Sequence, residues 1–320
     1  MDKFYDIISY PFGLVLSFLY NLLNDNYLLA LVVFTILAKL ILLPGSIKTQ
    51  KMQATTLRTR SKIEKIRKKY ANDQMKMNEE IQAFYEKEGY GSMTAGCGTL
   101  LIQFPIIMGL YGAIYKPLSY IIRLDTGIVK SLTDGVKQFA SSATANNARL
   151  LEMSVLSNVD KLEAVVKDVP AEVFEQIRNF DFTAFGYDLG AVPIEVKGSY
   201  IVVPIIAFLG AMLNSIYSFV KSKKTNPEAA NNPTMGCMLL FMPFMSLWLA
   251  FQFPVGIGVY WILNSVLGFL QIVILNHVYE PKKVISRMMV EETNVRRSKE
   301  KLVKDNVELL KGNNPEKATD

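Results

Sequence analysis

Apolar residues gather in four long stretches without Asp, Glu, Lys or Arg, and Lys39 is the one charge in the apolar run that extends the first stretch to Pro44. The stretches are Tyr27–Ala38, Met93–Tyr115, Gly198–Val220 and Asn231–Tyr279. A helix needs about 20 mostly apolar residues to cross a bilayer. The last stretch has 49 residues and is broken by Pro254 and Gly256, which predicts two helices joined by a tight turn. The pattern therefore predicts an all-α membrane protein with five transmembrane helices.

The beginning of the chain shows a different, one-sided pattern. Ser17, Asn21 and Asn24 fall on one face of a helix, and the opposite face is apolar. An amphipathic helix of this kind lies in the plane of the membrane interface. A signal peptide would begin with a basic region, but this segment has one lysine and two aspartates. We therefore expect an N-terminal interfacial helix over Pro11–Asn24.

The apolar stretches divide the chain into ten predicted segments. They are an outer interfacial helix (1–26), the first span (27–44), a cytoplasmic helical hairpin (45–95), the second span (96–116), an extracytoplasmic loop with an insertion (117–198), the third span (199–220), a cytoplasmic loop (221–234), the fourth span (235–252), the fifth span (255–276) and a basic cytoplasmic tail (277–320). The extracytoplasmic loop contains the polar sequence SSATANNA and a short helix that we expect to begin near Pro170. In the tail, acidic and basic residues four positions apart predict ion pairs along a helix, such as Glu292–Arg296.

The distribution of basic residues predicts the orientation in the membrane. Lys and Arg outnumber acids by 11 to 6 in Ser46–Ala95, whereas acids outnumber them by 11 to 8 in Pro117–Gly198. The tail after His277 holds 10 Lys and Arg. Short basic loops stay on the cytoplasmic side of a membrane. We therefore expect the N-terminus outside and the C-terminus in the cytoplasm.

The basic segment after the first span predicts a helical hairpin. Its arms Thr49–Tyr70 and Met75–Lys87 flank the turn Ala71–Asp73, and apolar residues such as Ile63 and Met75 could meet between them. The first arm is crowded with basic side chains, which we expect either to recruit substrate or to bind anionic lipid. These are Arg58, Arg60, Lys62, Lys65, Arg67, Lys68 and Lys69.

Composition argues against several classes of protein. Half of the residues are hydrophobic and 20% are charged, which is too apolar for an ordinary solvated domain. Cys97, Cys237 and the lone His277 do not form a disulfide framework or a metal-ligand pattern. The predicted spans contain no Asp or Glu, and the chain lacks the phosphate-binding glycine motif and the zinc-protease motif. We therefore expect no cofactor, no metal site and no enzymatic activity.

Four predicted spans carry a polar residue at a similar depth. These residues are Lys39, Gln103, Asn214 and Gln271, and Ser215 follows Asn214. Each lies five to seven residues from one end of its span, or about 7–11 Å at ~1.5 Å per residue. The opposite halves of the spans are almost wholly apolar. The pattern indicates a water-accessible cavity open only to the cytoplasm, although snorkelling of Lys39 or pairing with lipid headgroups fits the same spacing.

Several motifs carry a resemblance to a known family. They are FPVGIGVYWILNSVLGFLQ at residues 253–271, GCGTLLIQFPIIMGLYGAIY at 96–115 and FGYDLG at 185–190. In that order, they resemble three parts of the YidC-type membrane protein insertases: the fifth-span signature, the second-span signature and the segment before the third span. The resemblance is to the bacterial form of the family, without the large periplasmic domain. The family's first-span basic residue corresponds to Lys39, and its third-span glutamine pair to Asn214 and Ser215. About sixty loop residues, 118–180, extend beyond the family pattern.

The resemblance implies a function in protein insertion. The chain would receive hydrophobic nascent chains in a polar groove open to the cytoplasm and release them into the bilayer of the bacterial plasma membrane. The implied groove residues are Lys39, Gln103, Asn214, Ser215, Tyr260, Trp261, Asn264 and Gln271. The implied partners are nascent membrane proteins and anionic lipids. A ribosome held by the basic tail and the Sec translocon stay open as partners, and DNA is not expected.

Two other classes of function fit part of the pattern. A transporter or channel subunit with a cytoplasm-facing polar cavity would need polar groups through the outer half of its spans and an internal repeat. The stretches GCGTLLIQFP and GCMLLFMP are a weak echo of such a repeat. A passive scaffold would only use the basic hairpin to hold anionic lipid.

Overall fold

The computed structural model describes residues 2–87, 95–140, 150–225 and 233–312, and they are mostly helical. The long helices are α1 (Asp2–Leu22), α2 (Tyr27–Lys69), α3 (Gln74–Lys87), α4 (Ala95–Tyr115), α10 (Val202–Thr225), α11 (Pro233–Gln252), α12 (Val255–Val278) and α13 (Pro281–Gly312). The shorter elements are a π-helix (Leu118–Ile122), α5 (Thr126–Val136), α6 (Leu151–Ser157), α7 (Val159–Val165), α8 (Ala171–Asn179), the antiparallel strands β1 (Thr183–Ala184) and β2 (Tyr187–Asp188), α9 (Pro193–Val196) and a 3₁₀ helix (Gly198–Ile201).

Among the described residues, three helical segments are long and apolar enough to cross a membrane. They are Tyr27–Met52, Gly198–Lys221 and Val255–Val278. The described apolar parts of α4 and α11, Pro105–Tyr115 and Phe241–Gln252, are shorter. The all-α membrane fold predicted from the sequence is therefore confirmed. The number of five spans stays a prediction.

The chain divides into two compact units. The span unit comprises Met1–Ser46 and Met93–Val273, and the hairpin–tail unit comprises Ile47–Ser92 and Ile274–Asp320. The sequence pattern separates the first span from the hairpin near Pro44, but α2 is a single helix of 43 residues that includes this proline. A proline removes one backbone hydrogen bond of a helix and favours a kink, so it does not by itself end the helix.

The core of the span unit joins α1, α2, α4 and α12. Leu16, Leu31, Leu110 and Ile257 are fully buried in this core, one from each helix. Helices α1 and α4 approach so closely that a Cβ atom at Gly109 would overlap the ring of Phe12. Small residues permit such backbone approach in membrane proteins, where helices associate by packing rather than by escaping from water.

The described part of the insertion, residues 118–140 and 150–180, forms several packed helices, whereas the sequence pattern indicated one helix. The linker expected at SSATANNA lies outside the described residues. The expected helix is α8, and Leu132, Val155, Leu162 and Phe174 of α5 to α8 share a core of their own. These helices have 7 to 11 residues. Helices this short are marginal in isolation, because packing supplies most of their stability. Their periodic signal in the sequence is correspondingly weak.

Two polar contacts fix the start of the insertion. The Ser17 hydroxyl on α1 donates to the Ile121 carbonyl at 2.8 Å. The buried Glu152 carboxyl accepts hydrogen bonds from the Ser119 backbone N–H at 2.9 Å and the Ser119 hydroxyl at 2.6 Å. Burial raises the pKa of Glu152, and the two hydrogen bonds from Ser119 offset this only in part. Glu152 therefore links α6 to the π-helix.

The two arms of the hairpin meet within the hairpin–tail unit. Ile63 of the first arm and Ile81 of the second are both buried, and the Lys62 ammonium lies 5.5 Å from the centroid of the Phe84 ring. Met75, which the pattern suggested as a contact, is 78% exposed. It is the second residue of α3 and lies two residues after the turn Ala71–Asp73, at the end of the hairpin. The apolar contact between the arms is therefore small.

The tail helix α13 packs along the same unit. The Arg58 guanidinium binds Glu292 with two contacts, of 2.6 and 2.8 Å. The expected pair Glu292–Arg296 is wrong, because Arg296 pairs with Glu300 at 3.3 Å. At the end of α12, the Gln50 side-chain amide donates to the Asn276 side-chain oxygen at 2.7 Å, and both residues are buried. Polar contacts thus connect α2 with the end of α12 and with the tail.

Candidate functional site

Lys39 lies half-buried on α2 and faces a glycine of α12. A Cβ atom at Gly268 would lie 3.4 Å from the Lys39 ammonium nitrogen, so the absence of a side chain there leaves room for the charge. Within the part of the chain that the structure describes, Lys39 has no hydrogen-bond or ion-pair partner. An unpaired cation in an apolar helix is costly, because lipid offers it no hydration. The ammonium group therefore requires water or a polar ligand.

Asn214 on α10 faces the same stretch of α12. Its side-chain amide donates to the Ser265 carbonyl at 2.9 Å and to the Gly210 carbonyl at 3.2 Å. Its side-chain oxygen is buried and has no hydrogen-bond partner among the described residues. An acceptor left in this condition costs about 1–3 kcal/mol unless water or a ligand reaches it.

The polar contacts of Lys39 and Asn214 meet on one face of α12. Ser265, Gly268 and Gln271 follow one another at three-residue intervals, so they lie along one side of the helix. The side-chain nitrogen of Gln271 is also buried and unpaired within the described chain. We call Lys39, Asn214, Ser265, Gly268 and Gln271 the polar patch. Three helices contribute to it, and it holds one cation and two buried amide groups with open hydrogen-bonding positions.

The predicted aromatic residues lie elsewhere on α12. Tyr260 is 3% exposed and belongs to the core of the span unit. The Trp261 ring nitrogen donates to the Tyr111 hydroxyl at 2.7 Å, and the Trp261 ring packs edge-on against Phe253 at 6.1 Å between centroids. Tyr260 is thus a packing residue in this structure, whereas Trp261 connects α12 to α4.

For two of the other predicted groove residues, Ser215 and Asn264, the structure shows no side-chain hydrogen bond to the polar patch among the described residues. Ser215 and Asn264 are half-buried on α10 and α12. The side chain of Gln103 lies outside the described residues. Ser265 and Gly268 were missed by the sequence pattern, because a serine backbone carbonyl and a missing side chain leave no polar signal in a transmembrane segment.

Comparison with known proteins identifies the family. The model of the family described as 60Kd inner membrane protein matches residues 18–283. The chain belongs to this family. The family resemblance read from the sequence motifs is therefore confirmed. Together with the apolar helices, the match makes the chain a membrane-integral protein of a bacterial membrane.

Relatives within the family carry insertase names. The chain is 24% identical to the membrane protein insertase MisCA of Bacillus subtilis, over 82% of this chain and 74% of the relative. It is 24% identical to membrane protein insertase YidC 2 of Bacillus anthracis, over 83% and 78%. It is 26% identical to membrane protein insertase YidC of Syntrophus aciditrophicus, over 82% of this chain but 35% of that protein.

The basic residues of the hairpin in this family member are partly engaged. Arg58 binds Glu292 of the tail, and the Arg60 side chain pairs with Glu64 at 2.7 Å. Lys65 and Lys68 are exposed on α2. Among the described residues, no group of three or more His, Cys, Asp or Glu could hold a metal ion.

Proposed function

We propose that this chain is a membrane protein insertase that admits hydrophobic segments at the polar patch and releases them into lipid. The insertase names of its relatives support the activity. The observation that carries the mechanism is the Lys39 ammonium beside Gly268, together with the unpaired amide atoms of Asn214 and Gln271. These groups offer hydrogen bonds and a positive charge to a polar segment that would otherwise meet only hydrocarbon.

The proposed mechanism needs no chemical step. The polar or acidic end of an incoming chain enters from the cytoplasmic side and passes Lys39, which lowers the cost of moving that end through the bilayer. Its apolar helix slides along α10 and α12 into lipid. Partition of this helix into hydrocarbon drives the reaction, and the membrane potential adds about 2.3 kcal/mol per charge per 100 mV.

Further parts of the molecule have supporting roles in the proposal. The basic hairpin recruits the substrate, and its exposed lysines Lys65 and Lys68 bind anionic lipid. Nascent membrane proteins are the substrates. The N-terminus lies outside the bacterial plasma membrane and the C-terminus in the cytoplasm, as the positive-inside rule predicts.

The first test measures insertion into liposomes that contain only this protein. Lys39→Ala is expected to impair insertion of a short single-span substrate, chiefly one with an acidic outer end, because the attracting charge is lost. Lys39→Arg is expected to retain insertion. Lys48→Ala serves as the control, since Lys48 is an exposed lysine on the same helix. Equal insertion by Lys39→Ala and Lys48→Ala would exclude a role for the patch.

The second test measures access of water to the patch. A Lys39→Cys variant in a background with Cys97→Ser and Cys237→Ser is expected to react with a membrane-impermeant thiol reagent added from the cytoplasmic side. Leu40→Cys is the matched control, because Leu40 is exposed on the outside of α2 where lipid would cover it. A Lys39→Cys variant that labels no faster than Leu40→Cys would show a dry site.

A further inference from the structure

A short β-hairpin before α10 carries an aromatic side chain at its tip. Thr183 pairs with Asp188 and Ala184 with Tyr187, which leaves the two-residue turn Phe185–Gly186. Both turn residues have positive φ, 53° for Phe185 and 80° for Gly186. Two-residue hairpins favour this geometry, but asparagine, aspartate or glycine normally occupies the first position. A phenylalanine at this position is therefore unfavourable for the backbone.

The side chain of Phe185 is also unfavourable in water. It is 81% exposed, the largest exposed fraction among the large apolar side chains described. The hairpin that carries Phe185 is packed against the core of the span unit, because Phe182 and Ala184 are buried. The Phe180 and Phe182 rings stack at 5.5 Å between centroids. The Phe182 ring in turn lies 4.9 Å from the Tyr27 ring. Phe185 is thus held in an exposed position by neighbours that are buried in the span unit.

Backbone hydrogen bonds place the hairpin at the end of a membrane span. The first N–H groups of α12, at Val255 and Gly256, donate to the Ala191 and Leu189 carbonyls at 2.9 and 2.8 Å. These bonds satisfy donors that a helix start otherwise leaves open. Leu189 directly follows β2. Because α12 is apolar enough to cross a membrane, the segment that caps it lies at the boundary between lipid and water.

A second apolar group follows between the hairpin and α10. Ile194 and Val196 of the short helix α9 are 55% and 52% exposed, and Lys197 comes next. The exposed apolar residues Ile201 and Val202 follow, where the 3₁₀ helix meets α10 within the span Gly198–Lys221. Apolar side chains followed by a lysine are typical of segments that lie at the level of lipid headgroups.

We propose that Phe185, Ile194 and Val196 enter the lipid headgroup region and anchor this end of the span unit to the bilayer surface. The occupant of the surface is lipid, since the caps on α12 fix its depth and its apolar side chains continue into the lipid-facing start of α10. Contact with lipid removes the exposure of Phe185. The anchor sets the height of the adjoining insertion above the bilayer, and this role is independent of what the chain inserts.

The test uses the full chain in phosphatidylcholine–phosphatidylglycerol vesicles, with Cys97→Ser and Cys237→Ser as background. Phe185→Cys carries an environment-sensitive fluorophore, and the vesicles contain lipids with a nitroxide near the headgroup. We expect blue-shifted emission and several-fold stronger nitroxide quenching than for Lys161→Cys, an exposed control position on α7. In a second experiment the fluorophore is at Ile194→Cys, and Phe185→Asn, which suits the left-handed turn, is expected to reduce its quenching.

Two results would overturn the proposal. Quenching at Phe185→Cys equal to that at Lys161→Cys would place the hairpin tip in water. Blue-shifted emission without nitroxide quenching would show that protein, such as a second copy of the chain, covers the tip in place of lipid. Unchanged quenching at Ile194→Cys after Phe185→Asn would remove Phe185 from the anchor.

Discussion

A charge such as that of Lys39 costs about 2.5–3.5 kcal/mol at the centre of a transmembrane helix on insertion scales. The structure places this charge against the only residue type without a side chain, Gly268, and the amide groups of Asn214 and Gln271 lie on neighbouring helices. The local arrangement favours hydration of the ammonium group over contact with hydrocarbon. Lys39 thus has space beside Gly268, on the face of α12 that also carries Gln271 and binds Asn214 through Ser265.

The space at Gly268 can be tested by filling it. Gly268→Val places methyl groups beside the Lys39 ammonium, and we expect insertion activity to fall to the level of Lys39→Ala because the charge is displaced from the patch. Leu270→Val is the control, since Leu270 is exposed on the same helix. The measurement is liposome insertion at equal protein incorporation. Full activity of Gly268→Val would mean that the glycine has no role in placing the charge.

Glu152 gives the insertion a predicted pH dependence. Its pKa is raised by burial, so the folded insertion holds the proton more tightly than the unfolded chain does. The resulting stability is present below the ordinary carboxyl pKa of about 4.3 and is lost as pH rises through the raised value. We expect the protection of α6 to α8 from hydrogen exchange, measured relative to the intrinsic rate at each pH, to be greater at pH 5 than at pH 8.

Two substitutions separate the charge of Glu152 from its hydrogen bonds. Glu152→Gln is expected to flatten the pH dependence, because it removes the titrating group. Glu152→Ala is expected to destabilise the insertion by about 1–3 kcal/mol at every pH, because the Ser119 donors lose their acceptor. Glu172→Gln on the exposed side of α8 is the control. A pH dependence that persists in Glu152→Gln would assign it to another group.

At the scale of elements, the hairpin has few apolar contacts and many charges. Ile63 and Ile81 are buried, one on each arm, while Lys65 and Lys68 are exposed. Little apolar area holds the arms together, which is typical of an element that opens readily. The same helix α2 includes both the first arm and the segment that carries Lys39.

Deleting Thr49–Lys87 is expected to abolish insertion, because the recruiting element is lost, while the span unit stays membrane-integrated. Carbonate extraction and liposome insertion measure the two properties. A milder variant, Lys65→Gln with Lys68→Gln, leaves the arms and the Arg58–Glu292 contact in place. Weaker insertion with this variant in anionic vesicles would assign recruitment to charge. Full activity of the deletion would remove the hairpin from the mechanism.

At the scale of the whole molecule, the tail offers a basic surface beside the hairpin. Arg58 neutralises Glu292, and hydrogen bonding from this guanidinium lowers the pKa of Glu292. Arg297, Lys299 and Lys301 of α13 are exposed. Ribosomal RNA binds such clusters through release of counterions, so the affinity falls as salt rises.

Truncation after Val284 is expected to reduce co-sedimentation with ribosomes at low salt, because most of the exposed basic residues of α13 are lost. Added salt is expected to reduce co-sedimentation of the intact chain as well. Insertion of a purified, already released substrate should survive the truncation, which separates ribosome contact from insertion itself. Equal ribosome binding by the intact and truncated chains at low salt would contradict the hypothesis.

The sequence alone determined the class of molecule and its most costly residue. Membrane crossing depends on the apolar content of about 20 successive residues, which is a local property of the chain. The apolar stretches therefore predicted the all-α membrane fold, and Lys39 was visible because a charge in such a stretch is rare. The family followed from local motifs in the predicted spans.

The tertiary structure decided which residues meet, because pairing depends on parts of the chain that are far apart in sequence. The Asn214 side chain donates to the carbonyl of Ser265, 51 residues away. Glu292 pairs with the distant Arg58, although Arg296 is nearer in sequence. The short helices of the insertion share a core that their individual sequences do not reveal. Tyr260 is enclosed by the core of the span unit, which its position in the sequence does not show. Such contacts depend on close approach in three dimensions, and the order of polar and apolar residues along the chain does not contain that information.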